Sequence, residues 1–331
     1  MIIYAVPSGG RLDIAEAELK ALLEASGQAV DAAIHHGLVT SEVKELPGWA
    51  IGRAAYLSDV GELLWEGPPS EVEKVAADLD VSRMAGRRFK VDAEGFDGPK
   101  KLVVDDMFGE RVLTRAKNSS VSLKEPEVVL RVFRGAEEAF VGLTVLRRDG
   151  KWVARRPRAR AFFHPSALFP KLARLMVNLT AVRPGETFLD PFSGTGSTLI
   201  EASLVGAFSL GIDVDKKMVF GGRRNLRGFG LDAESQVLHA DVRELPLREV
   251  DAIAGDVPYG RASSTMGAGS DELLSAALEQ GERCLKRGRR IVLMHRKGAT
   301  LVEPKGFQLL GEYEFYVHRS LTRVISVFRK W

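Results

Sequence analysis

Over the first 146 residues the apolar positions change between helical and strand spacing in short blocks. Ile2-Ile3-Tyr4-Ala5-Val6 is a continuous apolar run, broken by Gly9-Gly10. Arg11–Ala25 then places Leu12, Ala15, Leu19, Leu22 and Leu23 on one stripe, the spacing of a helix with a single buried face. Val30–Val39 and Trp49–Leu57 alternate as strands, and Leu63–Trp65 adds another. These blocks predict a small ferredoxin-like α+β domain over residues 1–66. A second unit over 67–148 opens with a helix at Ser70–Leu79, where Ser70 and Glu73 have the spacing of a capping box. Apolar runs follow at Arg87–Val91, Val103–Phe108, Val128–Phe133 and Ala139–Val145.

From residue 164 the rhythm is longer and more regular. A helix is expected over Ala167–Leu179, then strands at Thr187–Asp190, Ala207–Asp213, Gln236–Asp241, Asp251–Asp256 and Arg290–His295. Helices fall between them at Ser197–Val205, Lys216–Phe229 and Asp271–Lys286. Such alternation predicts a doubly wound α/β domain over 164–331, with a mainly parallel sheet covered on both faces. Its last two runs, Phe307–Val317 and Leu321–Phe328, are separated only by His318-Arg-Ser and so close the seven-stranded sheet with an antiparallel C-terminal pair.

Charge changes the picture between these blocks. The net charge of +3 says little, yet residues 147–174 hold Arg147, Arg148, Lys151, Arg155, Arg156, Arg158, Arg160, Lys171 and Arg174 against Asp149 alone. Residues 149–163, with Trp152 and Pro157, read as an extended basic linker able to meet phosphates. Cys284 is the single cysteine, which excludes an intramolecular disulfide and suits a cytoplasmic chain. No apolar run approaches 18 residues and no basic leader precedes Ile2, so neither a membrane span nor export is expected. The six histidines lack ligand spacing, and no metal is expected.

Candidate chemistry concentrates after residue 187. Thr187-Phe-Leu-Asp-Pro-Phe-Ser-Gly-Thr-Gly-Ser-Thr-Leu-Ile-Glu201 is a strand, a tight turn carrying Gly194 and Gly196, and a helix start, the arrangement that offers free backbone N–H groups to a nucleotide-like ligand. A dinucleotide would require a third glycine where Leu199 stands. Asp190, ahead of the turn, instead suits the ammonium of S-adenosylmethionine. The next strands end in Asp213, placed for ribose hydroxyls, Asp241, placed for an adenine amino group, and Asp256-Val257-Pro258-Tyr259. Acids at the carboxyl ends of successive parallel strands face one crevice.

This series resembles class I S-adenosylmethionine-dependent methyltransferases acting on exocyclic amines, whose catalytic tetrapeptide is Asp/Asn-Pro-Pro-Tyr/Phe. His164-Pro-Ser-Ala-Leu-Phe-Pro-Lys-Leu-Ala-Arg-Leu-Met-Val-Asn178 and Arg319-Ser-Leu-Thr-Arg323 narrow the resemblance to the archaeal THUMP-containing tRNA guanine-N2-methyltransferases that modify guanosine 10. The resemblance implies that residues 67–148 are a THUMP domain and that tRNA is the substrate. It also implies that some relatives work with a small activating protein, the chain being otherwise expected to act as a monomer. Asp190, Phe192, Gly194, Thr195, Gly196, Asp213, Val214, Asp241, Val242 and His164 would surround S-adenosylmethionine. In the tetrapeptide Asp256-Val257-Pro258-Tyr259, Asp256 would accept from the guanine amine, the carbonyl of Val257 would be a second acceptor and Tyr259 would stack on the base. Where relatives have Pro-Pro this chain has Val257-Pro258; a carbonyl is kept, and a proline at 257 is expected to be tolerated. Arg87, Arg88, Lys90, Lys117, Arg134, Arg155, Arg156, Arg158 and Arg160 would contact RNA, with Phe133 in the core. Gly260–Ser270, rich in small residues, would order over the base. Methylation of guanosine 6, or of an amine on another RNA or DNA base, is the alternative, and a cofactor-binding RNA module without catalysis is a third reading.

Overall fold

The computed structural model describes residues 1–331 except 29–30, 36, 96–98, 148–151, 260–268, 301–304 and 319–320. The chain divides into two compact bodies. One comprises Met1–Lys20, Gln28–Gly52 and Tyr56–Arg148, and the other Ala21–Gly27, Arg53–Ala55 and Asp149–Trp331.

The first body is built on strands β1 (Ile2–Pro7), β2 (Ala32–His35), β3 (Leu38–Glu42), β4 (Leu57–Gly67), β5 (Arg88–Glu94), β6 (Ser120–Val121), β7 (Val128–Arg134) and β8 (Ala139–Arg147). They form one sheet in the order β2-β3-β1-β4-β8-β7-β5-β6, so the two expected N-terminal units share a single eight-stranded sheet through the β4–β8 pair. Helices α1 (Leu12–Ala25, as far as Lys20), α2 (Gly48–Ile51), α3 (Val72–Asp78) and α4 (Pro99–Arg115) belong to this body. On α4, Val104, Phe108 and Val112 recur every four residues and are buried with Phe89, Leu130 and Val132.

Three local expectations are corrected here. The run Val30–Val39 is a hairpin and not one strand, because Gly37 at φ +95° turns β2 back as β3. Trp49–Ile51 is the helical turn α2, and the strand begins only at Leu57. The Ser70–Glu73 box does not form. Pro68 and Pro69 fix φ and lack N–H donors, Ser70 is taken into a 3₁₀ turn over Pro69–Glu71, and α3 starts after it without a side-chain cap.

The second body carries α5 (Pro170–Leu179), β9 (Thr187–Asp190), α6 (Ser197–Leu204), β10 (Phe208–Asp213), α7 (Lys216–Gly228), β11 (Ser235–His239), β12 (Ala252–Asp256), α8 (Ser270–Cys284), β13 (Arg290–Arg296), β14 (Phe307–His318) and β15 (Leu321–Lys330). The sheet order is β11-β10-β9-β12-β13-β15-β14. The first five are parallel, and β15 runs antiparallel to both β13 and β14. This is the expected doubly wound sheet with an antiparallel C-terminal edge. The chain winds outward from β9 to β11 and returns to place β12 beside β9, so the strand order reverses between β9 and β12, where such sheets open a crevice at their carboxyl ends. Leu273, Leu274, Ala277 and Leu278 of α8 pack on Ile253, Ile291 and Leu293, closing one face.

The basic stretch 152–160 is not extended. It folds as two 3₁₀ turns, Val153–Arg155 and Pro157–Ala159, and is fastened to α6. Glu201, 1% exposed, accepts Nε of Arg155 on Oε1 (2.7 Å) and Nη2 of Arg155 on Oε2 (3.2 Å), and Nη2 of Arg174 lies 2.7 Å from that same Oε2. A carboxylate so deeply buried needs two cations around it.

Candidate active site

The four strand-end acids lie in a row on neighbouring strands, Asp241 just past β11, Asp213 on β10, Asp190 on β9 and Asp256 on β12. Asp190 is 3% exposed, and its Oδ1 accepts the Phe192 N–H at 2.8 Å while Oδ2 accepts the Thr198 hydroxyl. Burial raises its carboxyl to about 7, against those two hydrogen bonds and with the charges of Asp256 and Asp213 adding to the rise. The turn after it closes through Gly196 N–H to the Ser193 carbonyl, 2.7 Å, with Gly194 at φ +49° and Gly196 at φ +81°. Both are left-handed conformations that glycine takes without strain. Asp213 binds the turn from the next strand: Oδ2 accepts the Gly194 N–H at 2.8 Å and Oδ1 the Asp215 N–H at 2.9 Å. Each oxygen keeps a further acceptor site for ribose hydroxyls. Asp241 caps the 3₁₀ turn Val242–Glu244 and grips Arg243 through Nε (3.0 Å) and Nη2 (2.6 Å), which holds its carboxyl below the usual range.

The residues around the turn fit S-adenosylmethionine. Thr195 Oγ1 and Ser193 Oγ are buried without a hydrogen-bond partner, two polar atoms that a bound polar ligand would satisfy, and Asp256 Oδ1 is a third such atom at the neighbouring strand end. Phe192, half-buried, lines the same corner beside Gly255, where a Cβ would come within 3.1 Å of the Phe192 ring and 3.0 Å of Asp190 Oδ1. Only glycine at 255 lets β12 bring Asp256 this close to the turn, a requirement that spacing alone does not reveal.

Asp256 ends β12, and Val257 continues its pairing by donating N–H to the Met294 carbonyl at 2.8 Å while its side chain is fully buried. A proline at 257 would remove that donor, so the expectation that proline is tolerated there is corrected. Burial pushes the Asp256 carboxyl up to about 6, against the pull of Arg323. Arg323, on β15, places Nη1 3.2 Å from Asp256 Oδ2, donates from Nε to the Tyr259 hydroxyl at 2.8 Å and also from Nη2, and sets its Cζ 4.8 Å from the Tyr259 ring centroid. Within the motif Arg319-Ser-Leu-Thr-Arg323, which the sequence singles out without a role, Arg323 is thus the residue brought to the site. Residues 260–268 of the small-residue loop lie outside the described residues.

The segment before α5 is clipped to the glycine turn from outside. Asn225 of α7, fully buried, accepts the Phe162 N–H (2.7 Å) and donates to the carbonyls of Phe162 (2.9 Å) and Thr195 (2.9 Å). Arg160 reaches Ser197 Oγ, the first residue of α6, at 2.7 Å and the Leu168 carbonyl at 3.3 Å. His164 is bonded within its own turn, Nδ1 to Ser166 Oγ at 2.7 Å. Asn225 is a supporting residue that sequence reading missed.

The residues expected to meet RNA are not one set. Arg160, 7% exposed, and Arg155, held by Glu201, are committed inside the second body, so both are corrected from phosphate contacts to supports of the glycine-turn helix. Arg156 and Arg158 between them are exposed. In the first body, Arg87, Arg88 and Lys117 are exposed near the start of β5, where Gly86 N–H meets the Lys117 carbonyl at 2.9 Å. Lys90 pairs with Asp92 at 3.4 Å. Arg134 is exposed at the far end of β7, opposite the end of β5 and some six residues from Arg88, roughly 20 Å at strand rise. Phe133 packs on Tyr4, ring centroids 5.6 Å apart.

A model of the UPF0020 RMKL-like methyltransferase domain matches residues 157–325. The tRNA (guanine(10)-N2)-dimethyltransferase of Methanothermobacter thermautotrophicus is 32% identical over 332 residues, covering 96% of each chain. That of Pyrococcus abyssi is 32% identical over 330 residues, 95% of each. The crystal structure of TrmN from Thermus thermophilus superposes with a TM-score of 0.55 at 26% identity, over 100% of this chain and 99% of that one.

Proposed function

The chain belongs to the tRNA (guanine(10)-N2)-dimethyltransferase family, and from that premise we propose that it methylates the exocyclic N2 amine of guanosine 10 in tRNA, adding a first and then a second methyl. S-adenosylmethionine is the cofactor, and when bound it supplies a sulfonium-activated methyl group. The observation that carries the reading is Asp256 at the β9–β12 crossover, with Oδ2 held by Arg323 and Oδ1 buried without a partner beside the glycine turn.

An exocyclic guanine amine is a poor nucleophile because its lone pair is delocalised into the ring. Two acceptors on its hydrogens localise that pair and aim it. Asp256 Oδ1 is one, the Val257 carbonyl is assigned as the other, and Tyr259 stacks on the extruded base. A carboxyl near 6 is largely ionised at neutral pH and still basic enough to take the proton that the methylated amine gives up. On the opposite side, Asp190, Phe192, Thr195 and Asp213 hold the cofactor, with Asp241 and Val242 at the adenine end. Residues 67–148 are proposed as the THUMP RNA-binding domain, and a cytoplasmic location suits the substrate. Among the described residues no helix is long and apolar enough to cross a membrane.

Single-turnover transfer by Asp256→Ala tests the assignment. The expected loss is roughly 10²–10⁴-fold in rate, with tRNA and cofactor affinities nearly intact, as for an interaction felt mainly in the transition state. A near-normal rate would remove Asp256 from the reaction.

A further inference from the structure

We propose that Arg323 is a positioning residue for this reaction: one guanidinium fixes the Asp256 carboxylate and the Tyr259 ring together, so that Asp256 presents Oδ1 to the amine while Tyr259 holds its stacking plane. The proposal rests on the function argued above and adds a residue to its site.

The geometry gives Arg323 three tasks. Nη1, 3.2 Å from Asp256 Oδ2, engages one carboxylate oxygen and leaves the buried Oδ1 as the acceptor facing the crossover. Nε and Nη2 both donate to the Tyr259 hydroxyl, which fixes the end of the ring's long axis, and Cζ lies 4.8 Å from the ring centroid, a contact that rotation of the ring about that axis would change. The cation also opposes the desolvation that favours a neutral Asp256.

The planar fork meets its partners with three separate nitrogens and sets its centre near the Tyr259 ring, whereas a lysine ammonium offers a single nitrogen and no plane to hold the ring. Arg323 is itself held. Its backbone lies opposite Arg296 in the β13–β15 ladder, and Nη1 lies 3.9 Å from Met294 Sδ. At 12% side-chain exposure it is shielded enough for its charge to be felt. Among the described residues, the charged groups that act on Asp256 are Asp190 from the end of β9 and Arg323 from β15, and the Tyr259 hydroxyl shares the Arg323 guanidinium with it. Met294, its neighbour on β13, is uncharged, and His295 turns to the other face, where its ring meets Ser326 Oγ at 2.8 Å.

Arg323→Met and Arg323→Lys test the clamp. The Asp256 carboxyl titration is followed by carbon-13 NMR in the unliganded full chain, beside cofactor affinity and single-turnover transfer to tRNA. Arg323→Met is expected to raise the Asp256 midpoint by about one unit or more and to slow transfer roughly 10²-fold. Cofactor affinity should stay within about threefold, since Arg323 touches none of the residues assigned to the cofactor. Arg323→Lys, still cationic, should leave the midpoint near that of the unaltered chain yet transfer slowly, because the Tyr259 contacts are lost. An unmoved midpoint in Arg323→Met, full transfer by Arg323→Lys, or loss of cofactor affinity along with rate would each overturn the proposal, the last by making Arg323 a support of the fold. If the unaltered chain does not methylate tRNA, the parent reading falls, while the titration still decides the clamp.

Discussion

Burial sets the charge state of the two carboxyls at the crossover, Asp190 near 7 and Asp256 near 6. Both are raised, so between about pH 4, where a free aspartate titrates, and about pH 7 the folded chain holds protons that the unfolded chain has released. Through these groups stability falls as pH rises across that window and is constant above it. Asp190→Asn removes the larger share. Its melting temperature relative to the unaltered, unliganded chain should therefore improve steadily from pH 4 to pH 7, read by calorimetry. A difference independent of pH would show that Asp190 is ionised throughout. At this scale the acids were legible because each closes an apolar run. The fates of the arginines were not. A positive charge in a sequence does not say whether its partner is a phosphate, as proposed for Arg156, or Ser197 and a carbonyl, as found for Arg160. No spacing rule links Arg323 to Tyr259 across 64 residues either.

At the scale of elements, strands and helices of the second body were readable because each spans a full apolar period, and Pro170 sits at the first position of α5. Errors fell where a few backbone atoms decide. Gly37 cuts one expected strand into a hairpin, Pro68-Pro69 replaces a capping box with a 3₁₀ turn, and the basic stretch 152–160 folds onto Glu201. Val257 belongs to the same class. By sequence it is a variant of a Pro-Pro pair, whereas in the fold it extends β12 through its N–H to Met294 and fills the core under α8. Val257→Pro should therefore destabilise the chain by about 1–3 kcal/mol for the abandoned buried carbonyl, measured by denaturant unfolding. An unchanged or higher midpoint would mean that the Val257 N–H bond contributes nothing.

For the whole molecule, the charge that was read as one basic surface divides between exposed and committed arginines. Arg156 and Arg158, both exposed, remain as the proposed phosphate contacts. Neutralising both should lower the salt slope of tRNA binding by about one unit or slightly less per contact, leaving cofactor affinity unchanged. An unaltered slope would make this stretch a support for the methyltransferase sheet alone. The shared eight-stranded sheet of the first body was not legible, since pairing β4 with β8 joins positions such as Asp59 and Arg147 that no local pattern connects. The full chain is incubated with S-adenosylmethionine and unmodified tRNA, and nuclease fragments and nucleosides are read by mass spectrometry. N2-methylguanosine should appear first and N2,N2-dimethylguanosine after it, both at position 10. A methyl group on another atom or at another position, guanosine 6 included, or no methyl at all, would contradict the account.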